Sequence, residues 1–259
     1  MNIKLSIEYE GTNYHGWQIQ KPLKVKSEKL KVRTIQGEIE KVLGTILHQK
    51  IKLIGAARTD SGVHALGQVA NCRLQIADCK LQNLQKSLNS ILPNDIAVKK
   101  MEKVSENFHA RYSAKSKIYL YQILNQERPS PFLRNVCWHI PMPLHWEKIK
   151  SAMKFFLGTH DFNSFSSTGS PRKTHSCTIK SFSVRPPVPL FPADKNNLYV
   201  IEIEADRFLY RMARYLVTYL VEVGRGRRTL NEVHRVLKAG YRPSFLAPPH
   251  GLFLWKVRY

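Results

Sequence analysis

Acidic side chains are in short supply in this chain. Its 259 residues include 19 Asp and Glu against 41 Lys and Arg, for a formal charge of +22 and an isoelectric point near 10.0. Such an excess repels itself and adds nothing to fold stability, so it points to a polyanionic partner, steered in from a distance and held by counterion release. Cysteine is scarce as well. Cys72, Cys79, Cys137 and Cys177 are scattered, with no Cys-x-x-Cys or Cys/His cluster, which speaks against a structural zinc site or a disulfide frame and suits a reducing cytoplasm. Long apolar runs are missing too. The most apolar helical stretch, Tyr215 to Val223, is interrupted by Glu222 and falls far short of a membrane span. Met1 to Gly11 alternates apolar and polar residues like a half-buried strand and lacks the apolar run of a secretion signal. No polybasic tract adjoins an amphipathic anchor or lipidation motif, so an anionic membrane is the weaker candidate for the polyanion. The expectation is a soluble, cytoplasmic, nucleic-acid-binding protein.

What is present is ample core material, 43% hydrophobic residues, enough for one large domain or two ordinary ones. After the first strand, Thr34 is placed to cap a helix whose inner face carries Ile35, Ile39, Val42, Leu43 and Ile46. A strand then runs to Asp60, a second starts at Val69, a helix through Leu81, Leu84, Leu88 and Leu92 stops at Pro93, and a strand includes Ile96 and Val98. The order β-α-β-β-α-β is the ferredoxin-like arrangement. The second half repeats this plan more loosely, without a sequence repeat. Lys117 to Leu124 reads as a strand, and Trp146, Ile149, Met153, Phe156 and Leu157 mark a helix with Gly158 at its C-cap, followed by a polar loop. A strand from Thr178 to Val184, a proline-rich loop from Arg185 to Pro192 and a strand around Tyr199, Ile201 and Ile203 come next. Asp206 to Phe208 opens a helix through Leu209, Met212, Leu216, Leu220 and Val223. Thr229 and Glu232 open another, with Gly240 after it, and Gly251 to Tyr259 is a closing strand. The fold class is therefore α+β. Two ferredoxin-like or RRM-like halves, residues 1–106 and 107–259, are expected to join into an extended, mainly antiparallel sheet, with helices on one face and a cleft on the other. Lys21 to Arg33, lysine-rich and poor in aromatics, reads as a loop between the first strand and first helix. It is either simply solvated or a contact for phosphates, in which case neutralising its lysines lowers the salt slope of RNA binding.

The turn Arg58-Thr59-Asp60-Ser61-Gly62-Val63-His64-Ala65 sits between two apolar segments and carries several polar side chains. A carboxylate two residues from an arginine at a strand end suits a nucleophile or base, and equally suits a surface ion pair beside an Asx-turn. The residues alone leave both readings open.

From Gly55 to Ala65 the chain resembles the catalytic loop of the tRNA pseudouridine synthase A family. Further segments resemble that family in the same order: Tyr9 to Gln20, Thr34 to Gly37, Lys117 to Tyr121, Gly158 to Phe162 and Phe208 to Arg214. Ala57, Ala213 and Pro249-His250-Gly251 depart from its pattern without removing a reactive group. The resemblance implies an isomerase that turns uridine into pseudouridine in the anticodon stem-loop of tRNA, at positions 38 to 40, without metal or organic cofactor. It implies Asp60 as the nucleophile, Arg214 as its ion-pair partner and Tyr119 as a ring stacked under the target base. Arg58 and His64 would join Tyr119 on the substrate side, Arg58 filling the space of the extruded base or touching its phosphate, and His64 acting more as a hydrogen-bonder of the turn than as a base. Locally, Tyr119 is equally a core aromatic of a strand, and Arg214 equally a snorkelling arginine on a helix that also carries Arg207 and Arg211. Asp161, beside His160, reads as ordering its loop. The resemblance also implies a homodimer on tRNA. The rival readings are a non-catalytic RNA-binding protein or chaperone and, weakest, a metal-dependent nuclease using Asp60 and His64.

Overall fold

The structure, a computed structural model, describes residues 1–20, 23–25, 28–30, 32–75, 80–167, 174–185, 197–239, 243 and 245–259. In chain order the elements are β1 (Asn2–Tyr9), β2 (Leu23–Val25), β3 (Glu28–Leu30), α1 (Ile35–Leu47), β4 (Ile54–Gly55), β5 (His64–Arg73), α2 (Leu81–Ile91) and β6 (Ile96–Val104). They continue with β7 (Ser116–Asn125), β8 (Trp138–Ile140), α3 (Trp146–Lys154), β9 (Gly158–Asp161), β10 (Ser176–Arg185), β11 (Leu198–Ala205), α4 (Met212–Gly224), α5 (Glu232–Ala239) and β12 (Leu252–Arg258). The chain divides into two units, Met1–Lys115 with Leu254–Tyr259, and Ser116–Phe253. Both are α+β and mainly antiparallel.

In the first unit, alternation along β1 buries Ile3, Leu5, Ile7 and Tyr9 and leaves Lys4, Ser6 and Glu8 half-exposed. β1 runs antiparallel between β5 and β6, and the sheet order is β6-β1-β5-β12, with β4 also on β5. Apart from the β2-β3 hairpin and β12, this is the expected β-α-β-β-α-β sequence. Thr34 caps α1, its hydroxyl accepting the Gly37 N–H at 3.2 Å, and the buried face is Ile35, Ile39, Val42 and Leu43. Leu84 and Leu88 bury the inner face of α2, which ends just before Pro93.

Three expectations need correcting here. The strand before Asp60 is only two residues long, and β5 begins at His64 rather than Val69. Gly67 and Gln68 sit inside β5: a Cβ on Gly67 would lie 2.2 Å from the Trp255 carbonyl oxygen, and Gln68 is fully buried with backbone partners. Between the first strand and first helix, β2 and β3 form a hairpin where a loop was expected. The lysine side chains proposed there for phosphate contact lie outside the described residues.

In the second unit the sheet order is β7-β11-β10-β9, antiparallel throughout, with β8 parallel on β7. α3 ends at Lys154, before the expected cap, and Gly158, with φ of +91°, opens β9 instead. The segment expected as a polar loop thus begins as a strand on β10, continued by a 3-10 turn at Asn163–Phe165. Asp161 does order this segment, accepting the Asn163 N–H at 2.7 Å. α4 starts at Met212, four residues after the expected opening at Asp206 to Phe208. Asp206 is engaged elsewhere, its Oδ1 accepting the N–H of Thr178 at 2.8 Å and of Arg207 at 2.7 Å, and Arg211 has φ of +63° just ahead of the helix. Arg207, Tyr210 and Arg211 are therefore not on the helix that carries Arg214. Most of the proline-rich loop, residues 186–192, and Gly240 lie outside the described residues.

Cys72, Cys137 and Cys177 are buried, and Cys79 lies outside the described residues. Among the described residues no helix is long and apolar enough to cross a membrane.

Candidate active site

The turn that carries Asp60 is clasped by the loop that follows β1. The Tyr14 carbonyl accepts the Ser61 hydroxyl at 3.0 Å and the Gly62 N–H at 3.3 Å, and the Trp17 N–H is donated to the Thr59 carbonyl at 3.1 Å. Two glycines make this approach possible. A Cβ on Gly11 would fall 2.1 Å from the Val63 carbonyl oxygen, and one on Gly16, at φ of +84°, would fall 2.5 Å from that of Thr59. Gly62, with φ of +76°, makes the reversal itself. The spacing of glycines in Gly11 to Trp17 is thus set by backbone-to-backbone contact with the turn.

Below the turn, polar side chains lock its ends. The buried hydroxyls of Tyr9 and Thr59 lie 2.7 Å apart, and the Gln68 amide reaches Tyr9 at 3.5 Å. Gln68 also brackets Ala57, accepting its N–H at 3.3 Å and donating to its carbonyl at 2.8 Å. The Tyr14 hydroxyl is bonded to Asp95 and accepts from Arg33 at 3.2 Å; burial and then the Asp95 carboxylate raise its pKa, so it stays a neutral donor. His64 is buried in β5, and its Nδ1 accepts the Gly11 N–H at 3.0 Å. The Glu10 carboxylate stands 3.6 Å from the same nitrogen. With an N–H directed at its lone pair, Nδ1 carries no proton to share, so the contact with Glu10 is proximity and not an ion pair. Thr59 is buried, Asp60 half-exposed and Arg58 exposed. Among the described residues Arg58 makes no ion pair, which removes the reading of an Arg58–Asp60 surface pair. The result is a half-exposed aspartate on a backbone that has little freedom to move.

The second unit holds Tyr119 and Arg214. Tyr119 is buried on β7, edge-on to Phe208 with centroids 4.8 Å apart. Arg214, on the first turn of α4, is only 8% exposed and is not a snorkelling side chain. Its Nε donates to the Ala247 carbonyl at 2.7 Å, while Thr218, one turn on, accepts the Ala247 N–H at 2.8 Å. The neighbouring carbonyl of Pro248 accepts the Tyr121 hydroxyl at 2.8 Å, and a Cβ on Gly251 would meet the Tyr121 ring at 2.7 Å. The segment from Ala247 to Gly251 is therefore folded so as to aim one guanidinium. His250 lies in it, its pKa lowered mainly by burial and further by the Arg214 charge.

Sequence reasoning missed the anchoring residues Tyr9, Tyr14, Gln68 and Asp95. Gln68 carried a signal, a polar side chain within an apolar strand, whereas Asp95 meets Tyr14 across 81 residues of chain and carried none. Among the described residues no group of three His, Cys, Asp or Glu side chains is arranged to hold a metal ion.

Residues 5–113 and 152–259 match the family described as tRNA pseudouridine synthase. Over 261 residues the chain is 41% identical to tRNA pseudouridine synthase A of Thermoanaerobacter sp. (strain X514), covering 100% of this chain and 99% of that one. It is also 41% identical to the protein of that name from Acetivibrio thermocellus, over 260 residues that cover 100% and 99% of the two chains. The Thermodesulfovibrio yellowstonii protein of the same name is 40% identical over 264 residues, the whole of both chains. The chain belongs to the tRNA pseudouridine synthase family, isomerases that act on tRNA.

Proposed function

We propose that the protein isomerises uridines of the tRNA anticodon stem-loop, with Asp60 as the nucleophile and Arg214 and Tyr119 serving the same reaction. The observation that carries this reading is the half-exposed Asp60 on a turn fixed by buried anchors, in a chain of a tRNA-modifying family. Cleaving the bond between ribose C1′ and base N1 leaves the sugar electron-poor and the base negatively charged. A positioned carboxylate traps or stabilises the sugar while the uracil is turned and rejoined through C5. The product is an isomer, so nothing is oxidised or consumed and no cofactor is called for.

A buried guanidinium suits the task of stabilising negative charge in the reaction, and the Nε bond to Ala247 fixes its direction. Tyr119, braced by Phe208, offers a ring for a base taken out of its stack. The exposed Arg58 is free to fill the vacated place or to meet a phosphate. The excess of 41 basic over 19 acidic residues supports binding to a large anionic substrate. The resemblance that names these residues also supports a cytoplasmic homodimer.

The experiment is to map pseudouridine, by carbodiimide modification and reverse transcription, in tRNA from cells lacking the protein and complemented by wild type, Asp60→Asn or Arg214→Lys. Stops confined to the anticodon stem-loop, restored by wild type and by neither variant, are expected. Restoration by Asp60→Asn contradicts the assignment of the nucleophile, and stops elsewhere contradict the site on the tRNA.

A further inference from the structure

Tyr112 is 77% exposed, on a loop that is otherwise fastened on every side. Within the loop, His109 accepts the N–H groups of Arg111 and Tyr112 on its Nδ1, each at 3.2 Å, and its own backbone is closed by bonds to and from Ser113 at 3.1 and 2.9 Å. From outside, Asn71 accepts the Ala110 N–H at 2.9 Å, Tyr259 donates to the Ala110 carbonyl at 2.8 Å, and Asn2 donates to the Phe108 carbonyl at 2.9 Å. None of these bonds serves the core through Tyr112 itself. The fastening holds an aromatic ring out in water, with little conformational freedom left to lose when something lands on it.

The surroundings of the ring define what fits. The Arg111 guanidinium stands 5.7 Å from its centroid and the His109 ring 4.3 Å, tilted by 34°. Lys115 and Arg258, joined backbone to backbone at 2.8 Å, add two basic residues at the end of the same loop. An aromatic face beside an excess of cations suits a base with its phosphate better than it suits an apolar protein surface. The ring contacts of Tyr112 include none of the residues of the Asp60 turn.

We propose that Tyr112 is a stacking platform for an unpaired nucleotide of the bound tRNA other than the uridine that reacts, with Arg111 beside it as the contact for the phosphate. This rests on tRNA being the substrate. A stacking contact is indifferent to base identity, since every base has a face, so the platform contributes affinity and register and not sequence choice.

The test is the affinity of the full chain for unmodified tRNA, for wild type, Tyr112→Phe and Tyr112→Ala, at several salt concentrations, with the sedimentation coefficient of each. Tyr112→Ala is expected to weaken binding about 5- to 150-fold with an unchanged salt slope, because the lost contact is not ionic, while Tyr112→Phe binds like wild type. Arg111→Ala is expected to lower the salt slope by about one. An unchanged thermal midpoint for Tyr112→Ala shows that the ring was not holding the fold. Wild-type affinity in Tyr112→Ala overturns the proposal, as does equal loss in Tyr112→Phe. A change of sedimentation in Tyr112→Ala without tRNA overturns it in favour of a contact with a second copy of the chain. Failure of the wild type to bind tRNA at all is a separate result and strikes at the functional reading itself.

Discussion

The hydroxyls of Tyr9 and Thr59 meet at 2.7 Å in the interior, one residue before Asp60. Burial raises the Tyr9 pKa and keeps the phenol protonated, so the contact is a neutral hydrogen bond at any working pH. Tyr9→Phe leaves the Thr59 hydroxyl without this partner, and Thr59→Val leaves that of Tyr9. Each is expected to cost about 1–3 kcal/mol, and the double variant less than the sum, by urea unfolding. Strict additivity would show that the two groups do not depend on each other.

Two glycines with similar backbone angles separate strain from collision. Gly226, φ +71°, has nothing within 4 Å of a would-be Cβ, whereas that of Gly16, φ +84°, would lie 2.5 Å from the Thr59 carbonyl oxygen. Gly226→Ala is expected to lose about 1–2 kcal/mol of stability and to keep its turnover. Gly16→Ala must push the turn aside, and its turnover is expected to fall on the order of 100-fold in a tRNA modification assay. Equal turnover in the two variants would detach Asp60 from the clasp.

His250 gives a pH dependence whose sign is fixed. Its folded pKa lies below its ordinary value of 6.5, chiefly because burial disfavours the imidazolium. Below that ordinary value the unfolded chain takes up a proton that the folded chain resists, so the stabilisation is present at neutral pH and drains away as pH falls. Unfolding midpoints of His250→Gln and wild type, compared at about pH 7.5 and about pH 5.5, are expected to show a smaller acid loss in the variant. An identical loss in both would place the acid sensitivity elsewhere.

Burial pushes the Cys72 thiol up to about 12, and Cys137 and Cys177 are buried too. A brief iodoacetamide pulse at neutral pH, read by mass spectrometry, is therefore expected to leave these three thiols unmodified in the folded protein and to label them all in urea. Labelling of Cys72 in the native state would mean that β5 opens under native conditions.

Much of this was legible in the residues. The alternation of Ile3, Leu5, Ile7 and Tyr9, the cap at Thr34 and the stop at Pro93 are local signals, and the elements they announce are present. Asp60 and Arg214 are proposed from motifs spread along the chain. What failed was decided by partners far away in sequence. The strand expected from Val69 omits Gly67 and Gln68, which Trp255 and Ala57 hold in β5, and Asp206 resembles a helix opening until it is seen to hold Thr178. The anchoring of Tyr14 by Asp95, and of Arg214 by Ala247, likewise joins residues that no local pattern connects.

The central claim is an aspartate-dependent isomerisation of tRNA uridine, and tritium release from uracil-C5-labelled, unmodified tRNA tests it most directly. Wild type is expected to release tritium, and Asp60→Asn to bind the same tRNA with release abolished. Equal release by the two proteins, or tight binding by wild type with no release, would contradict the account, the second result favouring a protein that only binds RNA.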